Sequence, residues 1–276
     1  MAEIAVIIVT HNSQNVLPRC LDALNQQTIE ADIILVDSGS KDGSYLDAYS
    51  KKFGIRVILE DNIGFSRANN IGYQTVFQTA KFILFLNPDA FLTENALQKA
   101  LVFLKENERI GCVGGRLLGF DKNSGLPTNF LDSTGVFRKW YGCWHDRSQG
   151  KTEKGQCPIQ EDVPALCGAF LFCRQSMLVQ LSLGQSSGTT VFDPDFFLYK
   201  EDIELCLRIR KAGWRIVYHP GIQVYHCRGW QENRQQIPYQ QRLTAAKSEL
   251  LLYKKHPSLY IVWALAKYLL VRWLKI

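Results

Sequence analysis

Three carboxylates, Glu201, Asp202 and Glu204, fall within four residues, directly after Phe196-Phe197-Leu198-Tyr199-Lys200 and at the start of a helical pattern. Acids crowded at a helix N-terminus predict a site that handles protons or cations. Like charge raises a carboxyl pKa, and the helix terminus lowers it. Glu204 has Arg208 four residues on and reads as an ordinary surface ion pair. Glu201 and Asp202 have Leu205 and Cys206 at that spacing, which makes Asp202 the better base. A second acid, Asp89, stands where an apolar run ends, in Phe85-Leu86-Asn87-Pro88-Asp89. Pro88 restrains the local backbone. A carboxylate at such a point can hold a divalent cation, because Mg²⁺ and Mn²⁺ bind through one or two carboxylates plus substrate phosphates. Asn-Pro-Asp alone is also an ordinary turn. Together the two acidic groups predict an enzyme that binds a metal-chelated phosphate and deprotonates a hydroxyl.

The elements around these residues alternate. Residues 4–9 form a β-branched apolar run that ends at Thr10-His11-Asn12, and residues 33–37 form a second that ends at Asp37. Both read as strands buried on two faces. Helical spacing follows the first through Leu17, Cys20, Leu21 and Leu24. Residues 55–59 and 82–86 read as further strands, and residues 66–79 and 94–107 as helices. Strand alternating with helix predicts a mostly parallel α/β sheet, which binds ligands at the carboxyl ends of its strands. Thr10, Asp37 and Asp89 all fall at such ends. From Gly111 to Asp162 the pattern weakens and reads as loops, with Trp140-Tyr141-Gly142-Cys143-Trp144 either lining an acceptor pocket or packed on the core. Beyond it, residues 168–172 read as a strand and residues 182–190 as a flexible loop. The acidic helix ends at Gly213. Residues 215–218 and 222–225 read as two short strands, the second ending at His226. A lone histidine there is ordinarily structural and gains a chemical reading only beside Asp89.

Two more segments suit a nucleotide. Asp37 can accept hydrogen bonds from a ribose or base edge, or can cap the Asp37-Ser38-Gly39-Ser40 segment. Residues 62–72 combine Gly64, Arg67, Asn69 and Asn70. Gly64 permits close backbone approach and Arg67 can neutralise phosphate. Neither a G-x-G-x-x-G loop nor a P-loop is present.

The 276 residues carry a formal net charge of +6, unevenly spread. Residues 208–276 hold 13 Lys/Arg against 2 Asp/Glu, so the candidate site lies in an acidic part and a basic tail follows. Trp and Leu are mixed with Lys and Arg from residue 259 onward, too often for a membrane span, which needs about 20 mostly apolar residues. That mixture predicts a helix lying at a bilayer surface, against the alternative of a helix packed on the domain. None of the eight cysteines forms a C-x-x-C pair, and residues 4–9 are too short for a secretory signal. The first argues against a zinc ribbon. Cys20 and Cys206, set in apolar helical patterns where a free thiol packs as a small hydrophobe, together with the second predict a reducing cytoplasm.

In this order, the motifs resemble those of the inverting family 2 glycosyltransferases of GT-A fold, and most closely the rhamnosyltransferase-like enzymes of bacterial polysaccharide synthesis. The resemblance spans residues 4–229. It rests on Val9-Thr10-His11-Asn12, Val36-Asp37-Ser38-Gly39-Ser40-Lys41-Asp42-Gly43-Ser44, residues 62–72, Asn87-Pro88-Asp89, residues 196–213 and His226. It implies a Rossmann-like GT-A domain over residues 1–230, with a nucleotide-binding half to about residue 110 and an acceptor half beyond. A C-terminal helical extension over residues 231–276 follows. Thr10, Asn12, Asp37, Gly64, Arg67, Asn70, Asn87 and Asp89 would bind the nucleotide-sugar. Asn87-Pro88-Asp89 stands at the D-x-D motif, with Asp89 as metal ligand, and His226 matches a histidine that completes the metal shell in some members. Glu201 and Asp202 match the catalytic acid pair, with Asp202 as base. The cofactor is then Mg²⁺ or Mn²⁺. The donor is a dTDP- or UDP-sugar, rhamnose in this subgroup, and the acceptor a saccharide or lipid-linked saccharide. The tail would make the enzyme peripheral on the inner face of the cell membrane, with no nucleic-acid partner.

Two other classes share a nucleotide-binding sheet. A nucleotidyltransferase needs a basic loop after the first strand, but no Lys or Arg follows Val9 until Arg19. A catalytically silent sugar-binding protein would have no need of Asp89, Asp202 and His226.

Overall fold

The computed structural model describes residues 2–183, 189–227 and 237–275. The first half alternates as its apolar pattern requires. β1 (Ile4–Thr10), α1 (Leu17–Asn25), β2 (Asp32–Ser38), α2 (Ser44–Phe53), β3 (Arg56–Glu60), α3 (Phe65–Gln74) and β4 (Phe82–Leu86) follow one another. A short β5 (Ala90–Leu92) and α4 (Ala96–Glu106) complete this half. The second half holds β6 (Ile110–Asp121), β7 (Leu126–Ser133), β8 (Val136–Arg138), β9 (Trp144–Asp146), β10 (Glu161–Asp162) and β11 (Phe170–Arg174). α5 (Gln175–Gln180), α6 (Glu201–Lys211), β12 (Arg215–His226), α7 (Tyr239–Lys255) and α8 (Ile261–Leu269) close the order.

One sheet runs through the molecule in the order β10-β12-β6-β11-β4-β1-β2-β3, with β5 added to β12 and β7 to β6. In the run from β12 to β3 only β11 is reversed, pairing antiparallel with both β4 and β6. The remaining ladders of that run are parallel. The central strands are apolar without interruption because both faces are covered. Ala5, Ile7 and Val9 of β1 enter one core layer, and Ile4, Val6 and Ile8 the other. β4 divides the same way, with Ile83 and Phe85 on one face and Phe82, Leu84 and Leu86 on the opposite one.

The stretch read as loops between Gly111 and Asp162 holds two long strands. β6 runs for 12 residues through Gly114-Gly115. A Cβ on Gly114 would lie 2.4 Å from Leu166 Cδ2, and one on Gly115 2.6 Å from the Ile222 carbonyl oxygen. These glycines admit neighbours packed against the sheet, so they mark close approach rather than a turn. The two short strands expected at 215–218 and 222–225 are one strand, β12, whose pairing with β6 shifts register between His219 and Gln223 around Pro220-Gly221. α3 is shorter than the helix expected over residues 66–79, because turns replace it after Gln74. α6 ends as expected. Gly213 has φ +87, and the Trp214 N–H reaches back to the Ile209 carbonyl at 3.2 Å. The loop expected over residues 182–190 and the domain boundary near residue 230 lie partly or wholly outside the described residues. All eight cysteines are free thiols.

Candidate active site

Three strand pairings bring the charged centre together. In the β12–β5 ladder His226 stands opposite Ala90, and the Cys227 N–H bonds to the Asp89 carbonyl at 2.9 Å. Asp89, just before β5, is thereby set beside His226, the last residue of β12. β6 pairs with β12 on one side and with β7 on the other, which carries Asp132 to the same point. His226 Nε2 lies 3.3 Å from Asp89 Oδ1, and its Nδ1 lies 2.8 Å from Asp132 Oδ2. Burial works against a charged ring here, yet Asp89 and Asp132 outweigh it and push His226 up to about 10. Burial also opposes ionisation of Asp89, and His226 overrides it, holding that carboxyl below its usual range.

Asp202 and Glu201 open α6, after Tyr199 and Lys200, both with positive φ. Asp202 Oδ2 accepts the Gly168 N–H at 2.8 Å, and Oδ1 accepts the Ile203 N–H at 2.8 Å. Glu201 is buried, and its Oε2 has no hydrogen-bond partner among the described residues. Burial, and next the adjacent Asp202, push Glu201 up to about 8. Burial raises Asp202 as well, against the Gly168 N–H that favours its carboxylate. A carboxyl pair held this way takes up protons far more readily than exposed acids do.

A cleft of about 650 Å³ has Asp89, His226, Glu201 and Asp202 in its wall. Asn87 and Gly64 also line it, as do His11, Trp144 and Lys200. Gly64, with φ +85, has no room for a side chain, since a Cβ would lie 2.6 Å from the Phe197 ring and carbonyl. The Phe65 N–H bonds to that carbonyl at 2.7 Å, which ties the start of α3 to the segment leading into α6.

Five residues expected at the nucleotide are engaged elsewhere. Thr10 is buried and donates to Asp37 Oδ1 at 2.9 Å. Asp37 also accepts from the Ser40 N–H and hydroxyl, so it caps its own loop. Asn12 Oδ1 accepts the Lys41 N–H across to that same loop. Asn70 is buried and holds the backbone of Val191 and Phe192 with both ends of its amide. Arg67 is exposed and donates to the Pro194 carbonyl. These side chains shape the loops around the cleft and do not line it. Glu204 differs too. It is buried, not at the surface, and is gripped by both Arg208 and His256. Asp132 is the site residue that sequence reasoning missed. Its only signal was an acid after Phe130-Leu131, in a stretch read as loop.

The donor set suits a hard divalent cation held jointly with a ligand. Asp89 offers carboxylate oxygens, and His226 could offer a ring nitrogen once a cation displaced its Nε2 proton, with Asp132 fixing the far side of the ring as an outer-shell carboxylate does. Among the described residues no three His, Cys, Asp or Glu side chains form a cage that could hold a metal alone. The remaining positions would fall to phosphate oxygens and water.

An α/β sheet with one reversed strand thus carries Asp89 after a central strand and Glu201 and Asp202 at a helix start in the wall of one cleft, on the GT-A fold shared with solved glycosyltransferases. The solved structure of GalNAc-T7 with UDP, GalNAc and Mn²⁺ superposes with a TM-score of 0.70 at 19% identity, covering 92% of this chain and 48% of that one. This chain thus spans about half the length of that neighbour. The mannosyltransferase PcManGT from Pyrobaculum calidifontis, in complex with GDP-Man and Mn²⁺, superposes at 0.59 and 15% identity, covering 99% of this chain and 70% of that one. At such identities the likeness shows the fold. The family model "Glycosyl transferase family 2" matches residues 5–181, and the chain belongs to that family. It is a glycosyltransferase. Rhamnosyltransferase WbbL of Escherichia coli K12 is 28% identical over 230 residues, covering 80% of this chain and 82% of its own. The N-acetylglucosaminyl-diphospho-decaprenol L-rhamnosyltransferase of Mycobacterium tuberculosis is 26% identical over 240 residues, covering 80% of this chain and 75% of its own. No described helix is long and apolar enough to cross a membrane.

Proposed function

We propose that this enzyme moves rhamnose, with inversion, from a nucleoside-diphosphate donor to a lipid-linked saccharide in cell-surface polysaccharide synthesis. The observation that carries the reading is that Asp89 with His226, and Asp202 with Glu201, share the wall of one cleft large enough for a sugar nucleotide. The rhamnose donor and the lipid-linked acceptor follow the names of the two relatives. In this reading residues 1–230 perform the transfer, residues 231–276 form the helical extension, and the enzyme works at the inner face of the cell membrane.

Asp202 is the base. Its carboxylate, aimed by the Gly168 and Ile203 N–H groups, takes the proton of the acceptor hydroxyl as that oxygen attacks the anomeric carbon. Glu201 is a positioning residue: burial and the adjacent Asp202 push it up to about 8, so it keeps its proton near neutral pH and leaves the carboxylate to Asp202. Attack from the face opposite the diphosphate inverts the anomeric centre. Asp89 and His226 would hold Mg²⁺ or Mn²⁺ on the diphosphate, and Asp132 keeps His226 turned toward it. When bound, the cation neutralises charge on the departing diphosphate. Asn87 lies on the same wall, and the backbone at Gly64 borders the nucleotide end.

The test is a screen of dTDP-, UDP- and GDP-sugars with Mg²⁺ or Mn²⁺, reading thermal shift and release of nucleoside diphosphate. The expected result is metal-dependent stabilisation and slow hydrolysis of dTDP-rhamnose. Absence of binding and turnover for every donor would end the proposal.

A further inference from the structure

The last helix is apolar on the side that faces away from the protein. α7 is anchored to the domain, with Leu252 and Tyr253 in the main core and the Ser248 hydroxyl donating to the Leu198 carbonyl at 2.7 Å. α8 lies on α7 and continues as a π-turn over Leu270–Leu274. Its inward face presents Ala264, Lys267 and Val271, and Lys267 pairs with the fully buried Glu249 of α7. Its outward face presents Val262, Leu265, Leu269, Leu270, Trp273 and Leu274, all exposed. Leu259, 91% exposed, extends this stripe at the preceding turn. A helix packed on a domain in water ordinarily presents charged and polar groups outward, not an apolar face. A contiguous apolar face of this kind marks a contact surface.

The rim identifies the contact. Arg272 and Lys275 are exposed at the end of the stripe. Beside its start, the turn between β8 and β9 presents Arg138, Lys139 and Trp140, the last 86% exposed. This turn is fixed to α8 and the turn before it. The Tyr141 ring meets Trp263 edge-on at 5.0 Å, and the Arg138 guanidinium lies 4.4 Å over the Tyr260 ring. Among described residues 237–275 the one acid is Glu249, and it is turned inward. Apolar stripe, tryptophans at both ends and an acid-free basic rim are complementary to anionic lipid.

We infer that this face docks on an anionic phospholipid bilayer. Val262, Leu265, Leu269 and Trp273 seat at the boundary of headgroups and acyl chains, and Arg138, Lys139, Arg272 and Lys275 meet the phosphates. The hairpin that carries Trp140 at its turn places Trp144, His145 and Asp146 in the cleft wall. Docking would therefore hold the acceptor side of the cleft at the bilayer, which rests on the reading of the acceptor as lipid-linked.

The test is flotation of the whole protein with vesicles of phosphatidylcholine alone, and with an equimolar mixture of phosphatidylcholine and phosphatidylglycerol. The wild type is expected to float with the mixture and poorly with phosphatidylcholine. The triple substitution Leu265→Glu, Leu269→Glu, Trp273→Glu should cut the bound fraction ~10-fold or more. Arg272→Glu with Lys275→Glu should remove the preference for the anionic mixture. Flotation of the triple variant at the wild-type level would overturn the inference, as would a wild type that never floats. A wild-type dimer that the triple variant converts to monomer in light scattering would also overturn it, by showing that the stripe joins two copies. Donor hydrolysis in vesicle-free solution should be unchanged in the triple variant, so loss of docking and failure of the transferase reading give different results.

Discussion

Asp132 Oδ2 stands 2.8 Å from Nδ1 of His226, and both side chains are buried. The other ring nitrogen of His226 is thereby aimed at Asp89 and the cleft. Asp132→Asn keeps the shape and removes the charge. It should weaken Mn²⁺-dependent binding of the nucleoside diphosphate by ~10–100-fold, the usual cost of losing an outer-shell carboxylate. Calorimetric titration with and without Mn²⁺ measures this, and Asp89→Ala should abolish the metal-dependent part.

Asp202→Asn should leave donor affinity nearly unchanged and lower kcat by ~10²-fold or more, because a positioned base is lost while the donor contacts stay. Turnover near the wild-type rate would assign the base elsewhere.

The raised Glu201–Asp202 pair sets the pH profile. A base must be ionised, so kcat should climb with pH above the ordinary carboxylate range, because burial has raised Asp202. Glu201→Gln mimics the protonated Glu201 and should leave this limb in place. Stability moves the opposite way. A carboxyl raised in the folded state stabilises below its ordinary value, and that contribution is lost as pH rises through about 8. Melting curves should therefore show Glu201→Gln gaining on the wild type at pH 8–9 and not at pH 4.

Gly64→Ala tests the join between α3 and the segment before α6. The backbone at φ +85, ψ 167 is accessible essentially to glycine alone, and a non-glycine residue there costs about 1–3 kcal/mol before any clash with Phe197 is counted. The variant should show a lowered Tm together with weakened nucleotide binding, since Gly64 also borders the cleft.

Lys267→Met leaves Glu249 buried without its ion-pair partner and should destabilise the fold by about 3–5 kcal/mol. Adding Glu249→Leu should restore most of the loss. A double-mutant cycle in urea reads the coupling directly.

Much of the first half was legible because its chemistry is local. Uninterrupted β-branched runs such as Ile4-Ala5-Val6-Ile7-Ile8-Val9 announce strands covered on both faces, and both core layers use them as read. Gly114-Gly115 lies in the stretch read as loops, because a glycine that opens a turn and one that admits a neighbour look identical in sequence. Only the facing Leu166 and Ile222 distinguish them. The nucleotide-segment amides could not be placed from sequence for a related reason. Asn70 is as able to bind a ligand as to hold Val191 and Phe192, and its burial chose the second.

The sequence by itself determined the α/β alternation, the acids at the end of β4 and the start of α6, and a basic, apolar tail. Tertiary structure decided which of these meet. Asp132 and His226 are 94 positions apart and are joined by strand register, which no local pattern encodes. The facing of α8 was decided the same way. Lys267 lies inward against the buried Glu249, beside Ala264 and Val271, while Leu265, Leu269 and Leu270 face outward, and only the packing against α7 fixes that facing.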